Sequence, residues 1–582
     1  MNEPLRRLRQ EMAKRGMDAY LLMACDFHHS EYVCDYFQST RYLSHFTGEN
    51  CTLVITPEEA MLWTDGRFFV QAEAQMDPEF TLCRMGVAGE PTVVDYLKKV
   101  LPENGCLGFD GRLITSRQAK IWQRQLAAKK IRFSWEEDLI DLVWEDRPAI
   151  SPQPAWLFPL TYTGRDSSEK LADVRAKMAQ LHADVHVLTS LEDQAWLFNM
   201  RGNDIACTPV VFAYTLITEK ETELFVYDGV ISGELEADLK EKGVIIRPYQ
   251  DFYTAIADIP ANSRVLLSEK VVSMAITSRL PEGCRIVNAD NPTAYLKCIK
   301  NPTEIACTRN SHIKDGVAMV RFSKWLKEHI GKEEITEISA SDYLEKQRRA
   351  QPLNQGLSFP TISAYGPNAA MMHYIATPES CAVLKPEGFL LVDSGGHYLD
   401  GTTDITRTYV LGPITETMKM HYTSVVRGML NLSGARFLEG LTGLSLDYLA
   451  REPMWALGID YRCGTGHGVG YLLSVHEGPN EFRPFVRPGS PQPVALKPGM
   501  ITTDEPGIYL DHQYGIRCEN ELLCVEDEEN EYGRFLKFEL ITYCPIDLDG
   551  IDTQYMTKRE IRLLNEYHEK VYQTLKDHLT EE

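Results

Sequence analysis

Fourteen cysteines occur in this chain without a single Cys-x-x-Cys pair. A zinc ribbon or a dithiol redox centre needs that spacing, so both are excluded, and the scattered thiols are expected to be reduced rather than joined in a disulfide frame. Equally missing is any run of eighteen apolar residues, so no membrane-spanning helix is expected. The N-terminal stretch MNEPLRRLRQEMAKRGMDAYLLMACD has neither the apolar segment nor the small-residue cleavage site of a signal peptide. The expected compartment is the cytoplasm. Basic residues are also short, 60 against 83 acidic ones, for a formal net charge of −23. Such a field repels nucleic acid and anionic membrane, and neither is expected as a partner.

What is present is the composition of a folded protein, 44% apolar and 25% charged, with no low-complexity tract. A chain of 582 residues exceeds what one hydrophobic core organises, so three or four units of domain size are expected. RQEMAKRGMDAYLL (9–22) and RAKMAQLHADVHVL (175–188) share Arg, Met, Ala, Asp and Leu in register, and each reads as an amphipathic helix feeding a short strand. Downstream of both, an aromatic-rich turn leads to Gly, a strand, an acidic turn, a second strand and Asp-Gly. The ordered match predicts an internal repeat of an α/β unit, with a first domain over 1–150 and a second over 151–300. The proline-rich stretch EDRPAISPQPAWLFPLTYTG reads as a linker. A long helix after the Asn-Pro turn near residue 300 opens the third domain, 301–582, which closes on a charged amphipathic helix over 558–578.

Chemistry-bearing residues gather in that third domain. In FLLVDSGGHYLDGTTDITRTY (389–409) an apolar run ends at Asp393 and a Thr-rich strand carries Asp404, the two strands reading as hairpin neighbours. A carboxylate behind Leu-Leu-Val needs a cation or several donors, although Asp393 would equally cap a turn. CGTGHGVGYLLSVHEGP (463–479) surrounds His467 with glycines at a spacing that fits neither a dinucleotide fingerprint nor a P-loop. The glycines are expected to clear room for the imidazole to approach a metal, with a short strand carrying the chain on to His476. MITTDEPGIYL (500–510) is a strand stopped by Pro506 that leaves Glu505 at its end. GIRCENELLCV (515–525) reads as one strand with Arg517 and Glu519 on a common face. GPNAAMMHY places His373 after a small-residue turn.

Each segment alone has an ordinary structural reading. Together, Asp393, Asp404, Glu505 and Glu519 bring four negative charges to one imidazole. Convergence without a cation would force protonation or unfold the site. Two divalent cations would balance them. The oxygen-rich ligand set suits Mn²⁺ first, with Co²⁺ or Zn²⁺ also compatible.

The order Asp, eleven residues to Asp, then His in Gly-Thr-Gly-His-Gly, Glu in Asp-Glu-Pro-Gly and Glu in Ile-Arg-x-Glu-Asn resembles the pita-bread metallopeptidases. Within them the chain is most similar to the three-domain cytosolic aminopeptidase P type. SEYV, MLWTDGRFFVQAEAQMD and AWLFNMRGNDI extend the likeness over the first two domains, and LSFPTISAYGPNAAMMHY and IDLDGIDTQYMTKREIRLLNEYH over the third. The resemblance implies an α/β (α+β) chain with two tandem creatinase-like domains followed by a pita-bread catalytic domain. It implies metal ligands at Asp393, Asp404, His467, Glu505 and Glu519, of which Asp404 and Glu519 bridge. It further implies a dinuclear metal-dependent hydrolase that cleaves the N-terminal Xaa-Pro bond of peptides with a hydroxide shared by two divalent ions. Glu505 serves as general base and acid, His373 and His476 stand beside the substrate, Arg517 partners the metal carboxylates, and the enzyme is a homodimer. One position departs from the pattern: Cys463 stands where the family usually has a substrate-positioning histidine, which puts contacts there in question. A prolidase limited to Xaa-Pro dipeptides, or a non-catalytic peptide-binding protein of the same fold, are the rival readings.

Overall fold

In a computed structural model, residues 2–486 and 492–580 are described. Packing divides the chain into two compact units. One runs to Pro159 and resumes over Arg165–Thr293; the other comprises Leu160–Gly164 and the chain from Ala294.

The first unit opens with α1 (Glu3–Lys14). The Asn2 side chain accepts from Leu5 N at 2.9 Å, satisfying one of the helix's orphan donors, and Pro4 sits in the first turn where its missing N–H costs nothing. Leu5, Leu8 and Met12, spaced three and four apart, form its buried face. Six strands follow: β1 (Ala19–Met23), β2 (Cys51–Ile55), β3 (Ala60–Thr64), β4 (Thr81–Arg84), β5 (Cys106–Gly108) and β6 (Arg132–Ser134). Their order across the sheet is β4-β3-β2-β1-β5-β6. After α2 (Ser167–Gln180) come β7 (Val185–Leu188), β8 (Ala213–Thr218), β9 (Thr222–Val226), β10 (Val244–Pro248), β11 (Arg264–Leu267) and β12 (Arg285–Asn288), in the order β10-β9-β8-β7-β11-β12. Every strand of the second sheet thus has a counterpart at the same place in the first. The senses agree as well: β1–β2 and β2–β3 are antiparallel like β7–β8 and β8–β9, and the remaining pairs are parallel in both sheets. The duplicated sequence pattern is a duplicated topology.

The second unit begins on α3 (Pro302–His329). Asn301 caps it by accepting from Thr303 N and Glu304 N, while Glu304 returns a carboxylate to Asn301 N at 2.9 Å, a reciprocal capping box. After α4 (Glu337–Arg349) the chain lays down β13 (Asn354–Leu357), β14 (Ile362–Tyr365), β15 (Phe389–Ser394), β16 (Gly396–Tyr398), β17 (Gly401–Thr402) and β18 (Ile405–Val410). These make two three-stranded sheets, β13-β16-β17 and β14-β15-β18. Both β15 and β18 are buried along their whole length, so neither shows the in–out alternation of a surface strand. Next come α5 (Glu416–Ser433), β19 (Arg436–Leu438), α6 (Gly443–Trp455), β20 (Gly466–Gly468), β21 (Glu477–Phe482), β22 (Ile501–Asp504), β23 (Gly507–Leu510), β24 (Tyr514–Arg517), β25 (Asn520–Asn530) and β26 (Gly533–Leu540). Six of these strands form the sheet β19-β26-β25-β22-β20-β21, and β23 pairs with β24 alone.

The closing helix α7 (Lys558–Leu575) packs Leu564, Tyr567 and Val571 into a core with Tyr422, Val425 and Met429 of α5, and Phe389, Ile508 and Ile516 from the strands. Burying each large apolar side chain contributes about 1.5–3 kcal/mol. That core backs the strands whose ends carry the acidic residues.

Candidate metal centre

Asp393 sits near the end of β15, opposite Thr406 of β18. Asp404 lies just ahead of β18, not within it. Its N–H leaves the strand ladder to donate to Glu521 Oε1 at 2.8 Å, which frees its side chain from the alternation of the strand. His467 is the middle residue of β20 and its N–H donates to Thr503 Oγ1 at 3.0 Å. Its Nδ1 donates to Gly468 O at 2.9 Å, so Nε2 is the nitrogen that faces the carboxylates, 3.4 Å from Asp404 Oδ2 and 3.5 Å from Glu505 Oε1. Glu505 follows the last residue of β22, and its N–H donates to Thr465 O at 2.8 Å.

The sequence pattern predicts one continuous strand through Arg517 and Glu519, and here the structure differs. β24 ends at Arg517 and β25 begins at Asn520, because the chain passes there from the two-stranded sheet to the six-stranded one. Both residues nevertheless face β18. Glu519 N donates to Thr406 O at 3.0 Å, and Arg517 N donates to Thr408 Oγ1 at 3.1 Å. Arg517 Nη2 then reaches Asp393 Oδ2 at 2.5 Å, Nη1 reaches the Tyr509 hydroxyl at 2.6 Å, and Nε donates to Thr406 Oγ1 at 3.1 Å. The Thr406 hydroxyl donates in turn to Glu519 Oε2 at 2.8 Å. Thr406 and Tyr509 were not among the expected site residues. Thr406 lies directly opposite Asp393 in the strand pair β15–β18, a pairing that the sequence pattern does not give.

Asp404, His467 and Glu519 each present a ligand atom within 4.8 Å of the others. Burial raises Asp404 and Glu519 well above the usual carboxylate range, and the neighbouring carboxylates add to it. Burial also opposes charge on His467, but Asp404 and Glu505 outweigh it and lift the imidazole to about 9. Asp393 Oδ1 is buried and accepts no hydrogen bond among the described residues. Crowded carboxylates, an imidazole nitrogen turned toward them and an orphaned buried oxygen fit hard divalent cations, which would satisfy all three.

The glycines around His467 do something other than clear space for the ring. A Cβ on Gly466 would stand 1.9 Å from Thr503 O, and one on Gly468 would stand 2.2 Å from Glu477 O. They let β21 and β22 approach β20 on either side, which no side chain would permit. The expected short strand between His467 and His476 is likewise absent; β21 starts at Glu477, immediately after His476. The two imidazoles still meet, edge to face, with centroids 4.3 Å apart. Glu477 fixes the start of β21 through a buried ion pair with Lys300, with Lys297 Nζ 3.5 Å away.

His373 follows the 3-10 turn Gly366–Ala370, and the carbonyl of its neighbour Met372 accepts from Arg517 Nη2 at 3.4 Å. Cys463 is half-buried against the core behind the strands, and its carbonyl accepts from Arg451 Nη2 at 2.6 Å.

The family profile described as Metallopeptidase family M24 matches residues 306–526, and one described as the C-terminal region of that peptidase matches 534–582. Profiles of the creatinase/prolidase N-terminal domain match twice, over 4–140 and 146–304. Aminopeptidase P1 of Arabidopsis thaliana is 37% identical, across 98% of this chain and 96% of that protein. The chain belongs to the aminopeptidase P family of M24 metallopeptidases. Aminopeptidase P1 of Lotus japonicus is 36% identical, across 100% of this chain and 97% of the relative. Among solved structures, the X-prolyl aminopeptidase of Caenorhabditis elegans, described as a cytosolic enzyme with a di-nuclear active site, superposes with a TM-score of 0.94 at 34% identity. The match covers 99% of this chain and 96% of that one. An Xaa-Pro dipeptidase from Bacillus anthracis shares the fold, with a TM-score of 0.51 over 66% of this chain and 99% of its own. The two N-terminal repeats and the M24 domain of this family are therefore all present. Among the described residues no helix is long and apolar enough to cross a membrane.

Proposed function

We propose that the chain is an Xaa-Pro aminopeptidase, hydrolysing the bond between an N-terminal residue and the proline that follows. The observation that carries this reading is the convergence of Asp404, His467 and Glu519, with Glu505 against the same imidazole nitrogen, in a chain matched along 99% of its length to an X-prolyl aminopeptidase. A prolidase reading is less well supported, because the dipeptidase fold accounts for only 66% of the chain.

Asp393, Asp404, His467, Glu505 and Glu519 would hold two divalent ions, which would supply Lewis acidity and lower the pKa of water toward neutrality. Manganese is the ion proposed, because four carboxylates and one imidazole form a hard donor set. The other steps belong to the protein. Glu505, steered by the Thr503 hydroxyl 3.3 Å from its Oε1, accepts the proton of the attacking water and returns it to the prolyl nitrogen as the C–N bond breaks. That nitrogen carries no hydrogen in the substrate, so a proton has to be delivered for it to leave. His476, packed on His467, and His373 donate to the carbonyl oxygen as it gains negative charge. Arg517 keeps Asp393 oriented while Thr406 does the same for Glu519. A carboxylate-lined site also suits the free α-amino group that marks a peptide's N-terminus.

The reading extends to a cytoplasmic homodimer, supported by the family resemblance and by the structural neighbour described as cytosolic; light scattering on the purified protein tests the dimer. The activity is tested by Mn²⁺-dependent release of the first residue from an Xaa-Pro-Xaa peptide, with Asp404→Ala as control and an Xaa-Pro dipeptide as comparator. Release from the tripeptide alone or from both supports the aminopeptidase. Cleavage restricted to the dipeptide, or a purified protein that binds no divalent metal, overturns it.

A further inference from the structure

Glu337, the first residue of α4, is completely buried, and its carboxylate accepts hydrogen bonds from the stretch of chain between Tyr365 and Ala382. Oε1 accepts from Tyr365 N at 2.6 Å and Asn368 Nδ2 at 3.0 Å. Oε2 accepts from Ala382 N at 2.8 Å and the Tyr374 hydroxyl at 2.8 Å. Tyr365 and Ala382 mark the two ends of the loop that carries His373. The Glu337 N–H adds a second tie at the far end by donating to Ala382 O at 3.1 Å. One carboxylate therefore clasps the loop at its start, at its end and at two points between.

Both chain neighbours of His373 are tethered. Met372 O accepts from Arg517, which also holds Asp393, while the hydroxyl of Tyr374 is held by Glu337 and Ser380. Upstream, the carbonyl of Ala369 presses on Gly515 so closely that a Cβ there would be 1.8 Å away. The loop is pinned to the metal side through Arg517 and Gly515, and to α4 through Glu337. With the second tether removed, His373 would keep its attachment beside Arg517 but lose the one that orients its other side.

We propose that Glu337 is a positioning residue that sets the His373 imidazole against the substrate. This rests on the aminopeptidase reading above. Its contribution acts on the rate of the chemical step, because a misplacement of about 1 Å in a catalytic group costs up to roughly 100-fold.

The test is a double-mutant cycle on the full-length, Mn²⁺-loaded protein with an Xaa-Pro-Xaa peptide. Glu337→Gln keeps the size of the side chain but turns an N–H₂ group toward donors. It is expected to lower kcat about 10–100-fold with KM changed less than about threefold. In a His373→Ala background the same substitution is expected to cost less than about twofold. A loss of equal size in both backgrounds, or a kcat within twofold of the unmodified protein, overturns the proposal. Should Glu337→Gln fail to fold, Tyr374→Phe removes one donor and leaves the carboxylate; its smaller loss, about three- to tenfold, must likewise vanish beside His373→Ala. Hydrogen exchange read by mass spectrometry gives a second readout: residues 366–381 exchange faster in Glu337→Gln with bound metal unchanged. Unaltered exchange there overturns the tether whether or not the peptide is cut. An unmodified protein that cuts no Xaa-Pro peptide refutes the aminopeptidase reading instead, which keeps the two failures apart.

Discussion

Arg517 and Asp393, 124 residues apart in sequence, are joined by a 2.5 Å contact between Nη2 and Oδ2 in the interior of the second unit. The guanidinium is fully engaged: its remaining nitrogens reach Tyr509 and Thr406, and the latter hydroxyl orients Glu519. A single planar side chain thus holds two of the proposed metal-binding carboxylates in relation to one another. Lysine carries the charge but has no fork to span these partners. Arg517→Lys is expected to leave the fold intact and to reduce kcat/KM and Mn²⁺ affinity by about 10–100-fold each. Isothermal titration with Mn²⁺ and peptide kinetics check it, and unchanged affinity would show that Asp393 needs no such partner.

Chelation should expose the charge conflict in the cage. Burial, reinforced by neighbouring carboxylates, raises Asp404 and Glu519 in the folded protein. A raised folded pKa means stability that is fully present below the ordinary carboxylate values and lost as pH rises through the folded ones. The metal-free protein is therefore expected to lose thermal stability as pH rises from just above the ordinary Asp and Glu pKa values through about 6, to which Asp404 is raised. The Mn²⁺-loaded protein holds its stability over that range, since bound cations neutralise the same groups. Scanning calorimetry of both forms across the interval reads the gap, which should widen with pH; a gap that narrows contradicts the electrostatic account.

Gly466 offers a steric test of the strand packing. The nearest neighbour of an added Cβ is the backbone carbonyl of Thr503, at 1.9 Å, and a carbonyl in a strand ladder cannot step aside cheaply. Gly466→Ala is expected to destabilise the protein by about 1–3 kcal/mol. It should also displace Glu505, whose N–H is tied to Thr465 beside the same glycine. Urea denaturation and metal content of the purified variant measure the two effects, which are expected together.

The C-terminal helix has its own pH signature. Burial opposes the charge on Glu560, but the Thr557 backbone N–H, Asn431 and Arg427 outweigh it and lower its pKa. A depressed folded pKa gives stability that is present above the ordinary Glu value and lost as pH falls through the folded one. Glu560→Gln is expected to cost about 1–2 kcal/mol near neutral pH, from the weakened capping box and the lost charge-assisted bond to Arg427. The difference from the unmodified protein should shrink to nothing in acid. Urea melts at about pH 7 and about pH 3 test it.

Much of the site could be read in advance because its chemistry is local. An apolar run ending in Asp393, a strand stopped by Pro506 after Glu505, and the Asn301–Pro302 helix start each follow from side chains within a few positions of one another. The break at Cys518 was not legible. Period-two alternation across Arg517 and Glu519 looks the same whether the chain continues in one sheet or crosses to another, and only the partners of β24 and β25 distinguish the two. The packing role of the glycines beside His467 is hidden for a similar reason, since the atoms they make room for, Thr503 O and Glu477 O, belong to strands that come later in the chain.

By itself, then, the order of residues determined the duplicated α/β pattern and the acidic, oxygen-rich character of the candidate site, because charge, periodicity and turn chemistry act over short spans of chain. Tertiary structure alone decided that Asp404, His467 and Glu519 share one small volume, that Thr406 and Arg517 orient them, and that Glu337 clasps the loop of His373. Those are contacts between segments brought together by packing, and their energies depend on distances that no local pattern encodes.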